Sequence, residues 1–181
     1  MVHKGTKKLE TKRLTLRRFC VDDAEDMFRN WANDSQVSKF LNWEPHGTIE
    51  VTKSLLEEWE KGYENLNCYN WAIVLHGCLV GSVSLLNPND ITCEAEAGYC
   101  MSRAYWGKGI MAEALSAVVK YAFEEVGFRR IFAKHDVNNP NSGKVMRKCG
   151  MRYIETKIAP FALDSTRTAL CDCYDIINSP N

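Results

Sequence analysis

The stretch YWGKGIMAEA, residues 105–114, places two glycines two residues apart just before an apolar helical pattern. Gly107, Gly109 and Ala112 satisfy the spacing G-x-G-x-x-G/A of a dinucleotide-binding loop, which is weak evidence as an isolated match. Glycines let backbone N–H groups turn toward one point, and the start of a helix adds positive potential there. Such a loop can bind a pyrophosphate, but it can equally be a tight strand-to-helix turn with no ligand.

The segments around this loop exclude the dinucleotide interpretation. That fold needs the glycines after its first strand and an acidic residue about twenty positions later. Here an antiparallel meander precedes the loop, and Arg129 and Arg130 lie near the expected position of the acid. A Walker loop is excluded as well, because no Lys-Ser/Thr pair follows the glycines.

Hydrophobic periodicity predicts the element order β-α-α-β-β-β-α-β-α-β-β. RLTLRRF is typical of a half-buried strand, while NWAIVL and LVGSVSLL are β-rich runs that the segment HGC joins as a hairpin. An apolar face at helical spacing follows the glycine loop and ends at Gly127. We therefore predict an α/β (α+β) fold with a mixed, mostly antiparallel seven-stranded sheet flanked by helices. A flexible tail (residues 1–8) is expected to precede a single domain (residues 9–178).

The composition argues against nucleic acid or a membrane as partner. Lys plus Arg and Asp plus Glu each number 23, so no net charge attracts a polyanion. The longest apolar runs have strand length and MVHKGTKKLE resembles no signal peptide, so we expect a cytoplasmic protein. The eight cysteines are scattered without a C-x-x-C pair or a histidine cluster. We expect them to be reduced and expect no metal site.

A second stretch, NNPNSGKVMRKCGM at residues 138–151, follows the next predicted strand. Together with EAGYCMSRAYWGKGIMAEAL, it resembles the GNAT superfamily of N-acetyltransferases, and more closely the RimJ/RimL-like branch. The patterns that carry the resemblance are E-x-G-Y-x-h…W-G-K-G-x-x-x-E-A, where h is apolar, and N-x-x-S-x-x-V-x-x-K-x-G-M. ETKRLTLRRFCVDDAEDMF and DCYDI extend it over residues 9–177.

The resemblance implies an acyltransferase that binds acetyl-CoA between two splayed central strands, which carry Tyr99 and His135. Backbone N–H groups of the glycine loop would bind the pyrophosphate, and the strand edge that follows Tyr99 would bind the pantetheine arm. The residues implied in binding acetyl-CoA are Cys100, Met101, Ser102, Trp106, Gly107, Lys108, Gly109, Ile110, Met111, Ala112, Asn139 and Ser142.

Amide formation from a thioester needs a neutral amine, a polarised carbonyl and a proton for the leaving thiolate. Glu96 is our candidate base, although it can also be an ordinary edge-strand carboxylate. A backbone N–H near Met101 would donate to the oxyanion if the strand carries the bulge of this fold. The frequent tyrosine proton donor of the superfamily falls at Met146, so we assign that role to Ser142, whose alternative role is capping the following helix.

The acceptor is expected to be a primary amine that attacks acetyl-CoA directly in a ternary complex. Trp43, Glu96 and Tyr174 are the candidate acceptor-binding residues, although Trp43 can simply pack on Trp31 or Trp59 and Tyr174 can be a core residue. The branch acetylates protein N-termini, notably of ribosomal proteins, and also small amines such as polyamines and antibiotics. We predict a protein N-terminal acceptor, with a small amine as the alternative. A CoA-binding sensor or interaction module without turnover is the alternative of a different class, and a homodimer is compatible with the sequence.

Overall fold

One eight-stranded sheet forms the centre of the computed structural model, which describes residues 1–161 and 164–178. Its spatial order is β1-β2-β3-β4-β5-β6-β8-β7, and every neighbouring pair is antiparallel except β5 and β6. The predicted mixed, mostly antiparallel sheet is confirmed, and the two-residue strand β1 raises the count from seven to eight. The strands are β1 Leu9–Glu10, β2 Leu14–Arg17, β3 Tyr69–Leu75, β4 Cys78–Asn89, β5 Glu94–Met101, β6 Arg130–Asp136, β7 Arg152–Phe161 and β8 Asp164–Ile177.

Five α-helices cover the two faces of this sheet: α1 Ala24–Met27, α2 Ser35–Ser38, α3 Ile49–Gly62, α4 Ile110–Tyr121 and α5 Pro140–Lys148. We call the two faces the α4 face and the α3 face, after the longest helix on each. Because side chains alternate along a strand, each strand contributes to both apolar layers. Within the described residues, no helix combines the length and the apolar character needed to cross a bilayer.

The two faces carry separate apolar clusters. On the α4 face, Trp71, Val83 and Ala95 pack with Leu115 and Val118 of α4. On the α3 face, Ala72 and Leu79 pack with residues of the N-terminal helices, and the centre of that cluster is Phe19, Trp31 and Leu56. The helices α1, α2 and α3 thus cover the β2–β4 side of the sheet on the α3 face. The sheet separates them from α4 and α5.

The strands β5 and β6 form a fork. They pair in parallel only from Glu94↔Arg130 to Glu96↔Phe132, although both strands continue beyond those pairs. Past Glu96, β5 remains paired with β4, and past Phe132, β6 remains paired with β8. The predicted splay of the central strand pair is therefore present.

The hairpin predicted at HGC joins β3 to β4. His76 and Gly77 both have positive φ, 50° and 81°, which is the conformation of a two-residue type I′ turn. This turn matches the right-handed twist of the flanking strands, so the local sequence signal and the sheet agree.

Residues 1–8, which the sequence suggested as a flexible tail, make specific contacts with the domain. The His3 ring nitrogen Nδ1 lies 2.8 Å from the Tyr69 hydroxyl, and the Gly5 N–H donates to the Leu66 carbonyl at 2.7 Å. The Tyr121 hydroxyl donates to the Gly5 carbonyl at 2.7 Å. The segment is thus held against β3 and α4 by one backbone hydrogen bond and by two tyrosine hydroxyls, which composition alone does not reveal.

Helix α5 approaches β6 most closely at Gly143. A Cβ atom built on Gly143 would lie 2.4 Å from Nε2 of the buried His135 ring. The ring is fixed from its other side, because Nδ1 donates to the Asp136 carbonyl at 2.8 Å and the ring stacks on Tyr174. Only glycine lets α5 lie this close to the fork.

Replacing Gly143 with alanine should therefore force α5 away from β6. We expect Gly143→Ala to cost about 2 kcal/mol of stability, as overpacking typically does, and to lower the Tm by about 4 to 8 °C. The matched control is Gly62→Ala in the last turn of α3, where the new Cβ would lie 3.8 Å from the Cys68 sulfur, an ordinary contact. Equal melting temperatures for the two variants in calorimetry would show that the close approach is unimportant.

Candidate functional site

The fork leaves backbone hydrogen-bonding groups of β5 without a strand partner. Beyond the end of the ladder, Ser102 N–H donates to the Val80 carbonyl of β4 at 2.9 Å. Since N–H groups alternate sides along a strand, those of Tyr99 and Met101 point away from β4, into the fork. An extended ligand with alternating donors and acceptors can pair with this edge.

The bulge expected near Met101 is absent from β5. The register between β4 and β5 runs without interruption from Gly81↔Met101 to Leu86↔Glu96. The irregularities next to it fall between Leu86 and Asn89 of β4 and between Ile73 and Val74 of β3. Regular alternation, not a bulge, therefore directs the Met101 N–H into the fork.

The indole of Trp106 closes the end of the β5 edge. Its Nε1 donates to the Met101 carbonyl at 2.8 Å, while 48% of the residue remains accessible to solvent. Ser102 is buried, and its carbonyl accepts from Tyr105 N–H at 3.0 Å. These bonds turn the chain from β5 into the glycine loop.

The glycine loop ends in an N-terminal helix turn whose donors are uncapped. Gly107 and Gly109 have φ of 76° and 73°, and Gly109 is the N-cap of α4. The first helical bond of α4 runs from Glu113 N–H to the Gly109 carbonyl, and no side chain caps the helix. The N–H groups of Ile110, Met111 and Ala112 therefore lack intrahelical acceptors. Together with the helix dipole, they form the kind of anion site that the sequence predicted.

An ion pair that the sequence did not predict supports the glycine loop. It joins Arg13, in the turn between β1 and β2, to Glu113 in the first turn of α4. Arg13 Nε lies 2.6 Å from the Glu113 carboxylate, and Arg13 NH1 donates to the Lys108 carbonyl at 3.2 Å. Glu113 also accepts from Thr11 Oγ1 at 2.7 Å and from Arg13 N–H at 3.0 Å. These hydrogen bonds lower the pKa of the Glu113 carboxyl despite the opposing effect of desolvation. The available signal was Glu113 itself, which is the acidic residue of the W-G-K-G-x-x-x-E-A pattern.

Ser142 lies on the α4 face and pairs with a tyrosine. The Tyr99 hydroxyl is 2.9 Å from Ser142 Oγ and donates to the Ser142 carbonyl at 3.0 Å. The capping alternative for Ser142 is wrong, because the N-cap of α5 is Asn139. Burial raises the pKa of Tyr99 far above its ordinary value, so this hydroxyl keeps its proton at neutral pH. The E-x-G-Y pattern contains Tyr99 but does not reveal its contact with Ser142.

Glu96 lies on the opposite, α3 face. It is paired with Leu86 on β4, and its carboxylate oxygen Oε1 is 2.7 Å from Nζ of Lys134. The side chains are only 10% and 18% exposed. Glu96 is therefore a nearly buried carboxylate in an ion pair across the fork, and this pairing was not evident from the sequence.

Two further residues predicted to bind acetyl-CoA also flank the fork. Cys100 shares the α3 face with Glu96; its sulfur lies 3.2 Å from Ser82 Oγ, and burial raises the pKa of the thiol to about 11. Asn139 begins α5 without using its side chain as a cap, and its N–H donates to the Asp136 carbonyl at 2.7 Å. Cys100 is thus a protonated thiol at neutral pH.

The three candidate acceptor-binding residues do not all share one face. Tyr174 is buried beneath α5 on the α4 face, where its hydroxyl accepts from Arg147 at 2.6 Å. Trp43 packs against the apolar cluster of the α3 face, with its ring 5.6 Å from that of His46 in an edge-on contact. The structure therefore places Glu96 and Trp43 on the same face and puts Tyr174 on the other.

Groups that can accept or donate a proton lie on both sides of the fork. A carboxylate lies on the α3 face, a pair of hydroxyls lies on the α4 face, and unpaired backbone N–H groups line the fork between them. A carboxylate can accept a proton and a hydroxyl can donate one, so a substrate held in the fork can lose a proton on one side and gain one on the other. The part of the chain that the structure describes contains no group of three or more metal-ligating side chains.

Comparison with known proteins agrees with this geometry. The family model described as "Acetyltransferase (GNAT) domain" matches residues 13–152, which include the fork and the glycine loop. The N-acetyltransferase YoaA of Bacillus subtilis (strain 168) is 30% identical over 146 residues, covering 80% of this chain and 82% of YoaA. The ribosomal-protein-serine acetyltransferase of Escherichia coli (strain K12) is 24% identical over 123 residues, covering 65% of this chain and 66% of that protein.

A solved structure shows the same fold. RimL, a ribosomal L7/L12 alpha-N-protein acetyltransferase in complex with coenzyme A, is similar with a TM-score of 0.80 at 19% identity. The alignment covers 94% of this chain and 98% of that one.

Proposed function

Since this chain belongs to the acetyltransferase (GNAT) family, we propose that it transfers the acetyl group of acetyl-CoA to a protein N-terminal amine. The family establishes an N-acetyltransferase; the N-terminal acceptor and the residue roles are the proposal. The observation that supports this proposal is the fork between β5 and β6. It separates the Glu96 carboxylate from the hydroxyls of Tyr99 and Ser142.

The residues present fit acetyl-CoA. The uncapped N–H groups of Ile110, Met111 and Ala112 suit a pyrophosphate, because they combine free donors with the positive end of the helix dipole. The β5 edge offers the Met101 N–H, next to the glycine loop, to an amide of a pantetheine arm. When bound, acetyl-CoA supplies an acetyl group activated as a thioester.

In the proposed reaction, Glu96 accepts a proton from the acceptor ammonium on the α3 face, so that a neutral amine reaches the fork. The Tyr99 N–H, the fork-facing β5 donor beside Ser142, stabilises the oxyanion. On the α4 face, Ser142 passes a proton to the departing thiolate and takes up the second proton that the amine nitrogen loses as the amide forms. Because the Tyr99 hydroxyl proton is donated to the Ser142 carbonyl, Ser142 Oγ donates to the Tyr99 oxygen in the free protein and turns the same proton to the thiolate in the reaction. We take the transfer to be direct, and in keeping with this the Cys100 thiol is held against Ser82 and is kept protonated by burial, which raises its pKa.

Two relatives support the N-terminal acceptor. The Escherichia coli relative is named for ribosomal-protein serine, and the RimL structure is that of an alpha-N-protein acetyltransferase. The alternative acceptor is a small amine, such as a polyamine or an antibiotic. The alternative of another class is a sensor or interaction module that binds CoA without turnover.

Strain in the glycine loop should weaken acetyl-CoA binding. Gly109→Ala puts a Cβ on a residue with φ of 73°, which L-residues avoid at a cost of about 1 to 2 kcal/mol. We expect the Kd for acetyl-CoA in isothermal titration to rise at least about fivefold as the uncapped N–H groups shift. Gly77→Ala, at φ of 81° in the β3–β4 turn, introduces comparable strain away from the loop. The same Kd in both variants would argue against the loop as the pyrophosphate site.

The Ser142 hydroxyl should contribute to turnover and not to the binding of acetyl-CoA. We expect Ser142→Ala to lower kcat at least about tenfold, since general-acid catalysis typically contributes about 10²- to 10⁴-fold, while the Kd for acetyl-CoA changes little. Tyr99→Phe should lower kcat less, because Ser142 keeps its own proton. The matched control is Ser116→Ala, which removes a hydroxyl from α4 that contacts Cys149 at 3.0 Å. Turnover of Ser142→Ala equal to that of this control would reject the donor role.

The acceptor proposal is tested by CoA release with a panel of N-terminal peptides, polyamines and aminoglycosides. Release with peptides, which is lost when their N-termini are blocked, is the expected result. Faster release with a small amine would favour the alternative acceptor. Thermal stabilisation by acetyl-CoA without release across the panel would favour the sensor.

A further inference from the structure

The ion pair between Lys134 and Glu96 closes the fork on the α3 face. Lys134 lies two residues beyond Phe132, the last residue of β6 that pairs with β5. Its side chain reaches back across the opening to the Glu96 carboxylate, with Nζ and Oε1 2.7 Å apart. The proposed base therefore already holds an ammonium group in the free protein.

An acceptor ammonium has to compete with Lys134 for the Glu96 carboxylate, whose Oε1 the lysine already holds. The displaced Lys134 ammonium is only 18% exposed, and a poorly solvated charge without a partner is costly. Productive binding therefore requires a second anion for Lys134.

The nearby carboxylates on this face are already engaged. Glu94 and Asp175 both pair with Arg130, at 3.0 and 2.8 Å, and Glu155 pairs with Lys157 on β7. Farther along β6, Asp136 accepts from the N–H and the side-chain amide of Asn138 at 2.8 and 2.9 Å. The donors to Asp136 are neutral, so an anion that arrives with the acceptor competes only with Asp136 for the Lys134 ammonium.

We propose that Lys134 selects acceptors that carry a carboxylate close to the reacting amine, such as a peptide N-terminus with an acidic side chain at its second residue. The two ion pairs exchange partners: Glu96 takes the acceptor ammonium and Lys134 takes the acceptor carboxylate. A polycation is disfavoured, because it would leave Lys134 beside additional positive charge. This inference rests on the proposed function and narrows its acceptor class.

Two peptides that differ only in one charge test the inference. Peptides beginning Ser-Asp and Ser-Asn have second residues of nearly equal size, so their kcat/KM ratio reports the carboxylate. We expect the wild-type enzyme to prefer the acidic peptide by about fivefold or more, the effect of one partly screened ion pair, and to lose that preference as salt rises. Equal kcat/KM for the two peptides would overturn the inference.

Variants at Lys134 test whether this residue causes the preference for the acidic peptide. Lys134→Met keeps the length of the side chain without its charge and should bring the ratio close to one, while Lys134→Arg should restore it. The matched control is Lys120→Met on the exposed surface of α4, which should retain the wild-type ratio. A ratio in Lys134→Met equal to the wild-type value would also overturn the inference. Because each ratio is internal to one variant, it is independent of changes in stability.

A second pair of acceptors separates this inference from the proposed N-terminal function. Lysine and 1,5-diaminopentane differ by one carboxylate. If only small amines release CoA, the N-terminal proposal fails, and the ratio of these two acceptors tests Lys134 with the same variants. If no acceptor of either kind releases CoA, both proposals fail.

Discussion

The fork between β5 and β6 is the constraint on which the site depends. Three residue pairs hold the two strands together, and beyond them the facing N–H and C=O groups have no ladder partner. Unpaired backbone groups are costly when buried, so an opening of this kind persists only where other contacts fix its walls. On the α4 face, α5 contacts both walls, through Ser142 against Tyr99 and through Gly143 against His135. On the α3 face, the Lys134–Glu96 ion pair joins them. The opening is therefore fixed by specific contacts, and its unpaired backbone groups can hydrogen-bond to a ligand.

The glycine loop depends on a charge arrangement that looks unfavourable in isolation. Glu113 lies in the first turn of α4, where a carboxylate suits the helix dipole but repels an anion at the same helix end. Arg13 resolves the conflict, because it pairs with Glu113 at 2.6 Å and also donates to the Lys108 carbonyl. The carboxylate is neutralised locally, and the loop carbonyl of Lys108 has a cationic donor of its own. The N-terminal β1–β2 turn is thus part of the loop's support, although it is about a hundred residues away in sequence.

Local patterns in the sequence were sufficient for the framework but not for the pairs that define the site. Alternation, the HGC turn and the glycine spacing predicted the antiparallel strands, the hairpin and the start of α4, because each depends on neighbouring residues. The Tyr99–Ser142 pair joins residues 43 positions apart, and it exists only because α5 closes over the fork. The Lys134–Glu96 pair depends on where the parallel ladder stops, which no periodicity encodes. The contacts of residues 1–8 could not be predicted for a related reason, since Gly5 hydrogen-bonds to the Leu66 carbonyl and to the Tyr121 hydroxyl, both distant in sequence.

The separation of Glu96 from Ser142 by the sheet has a chemical consequence. Acyl transfer to an amine needs one group that takes a proton and another that gives one. Here the register of β5 assigns Glu96 and Tyr99 to opposite faces, because they are three residues apart on a regular strand. The carboxylate is held by an ammonium on one side, while the hydroxyl pair on the other side keeps its protons because burial raises the pKa of Tyr99. In the proposed reaction, the first proton of the ammonium therefore leaves on the α3 face, and the second is passed to the thiolate through Ser142 on the α4 face. The uninterrupted register between Glu96 and Met101 is what keeps these two groups on opposite faces.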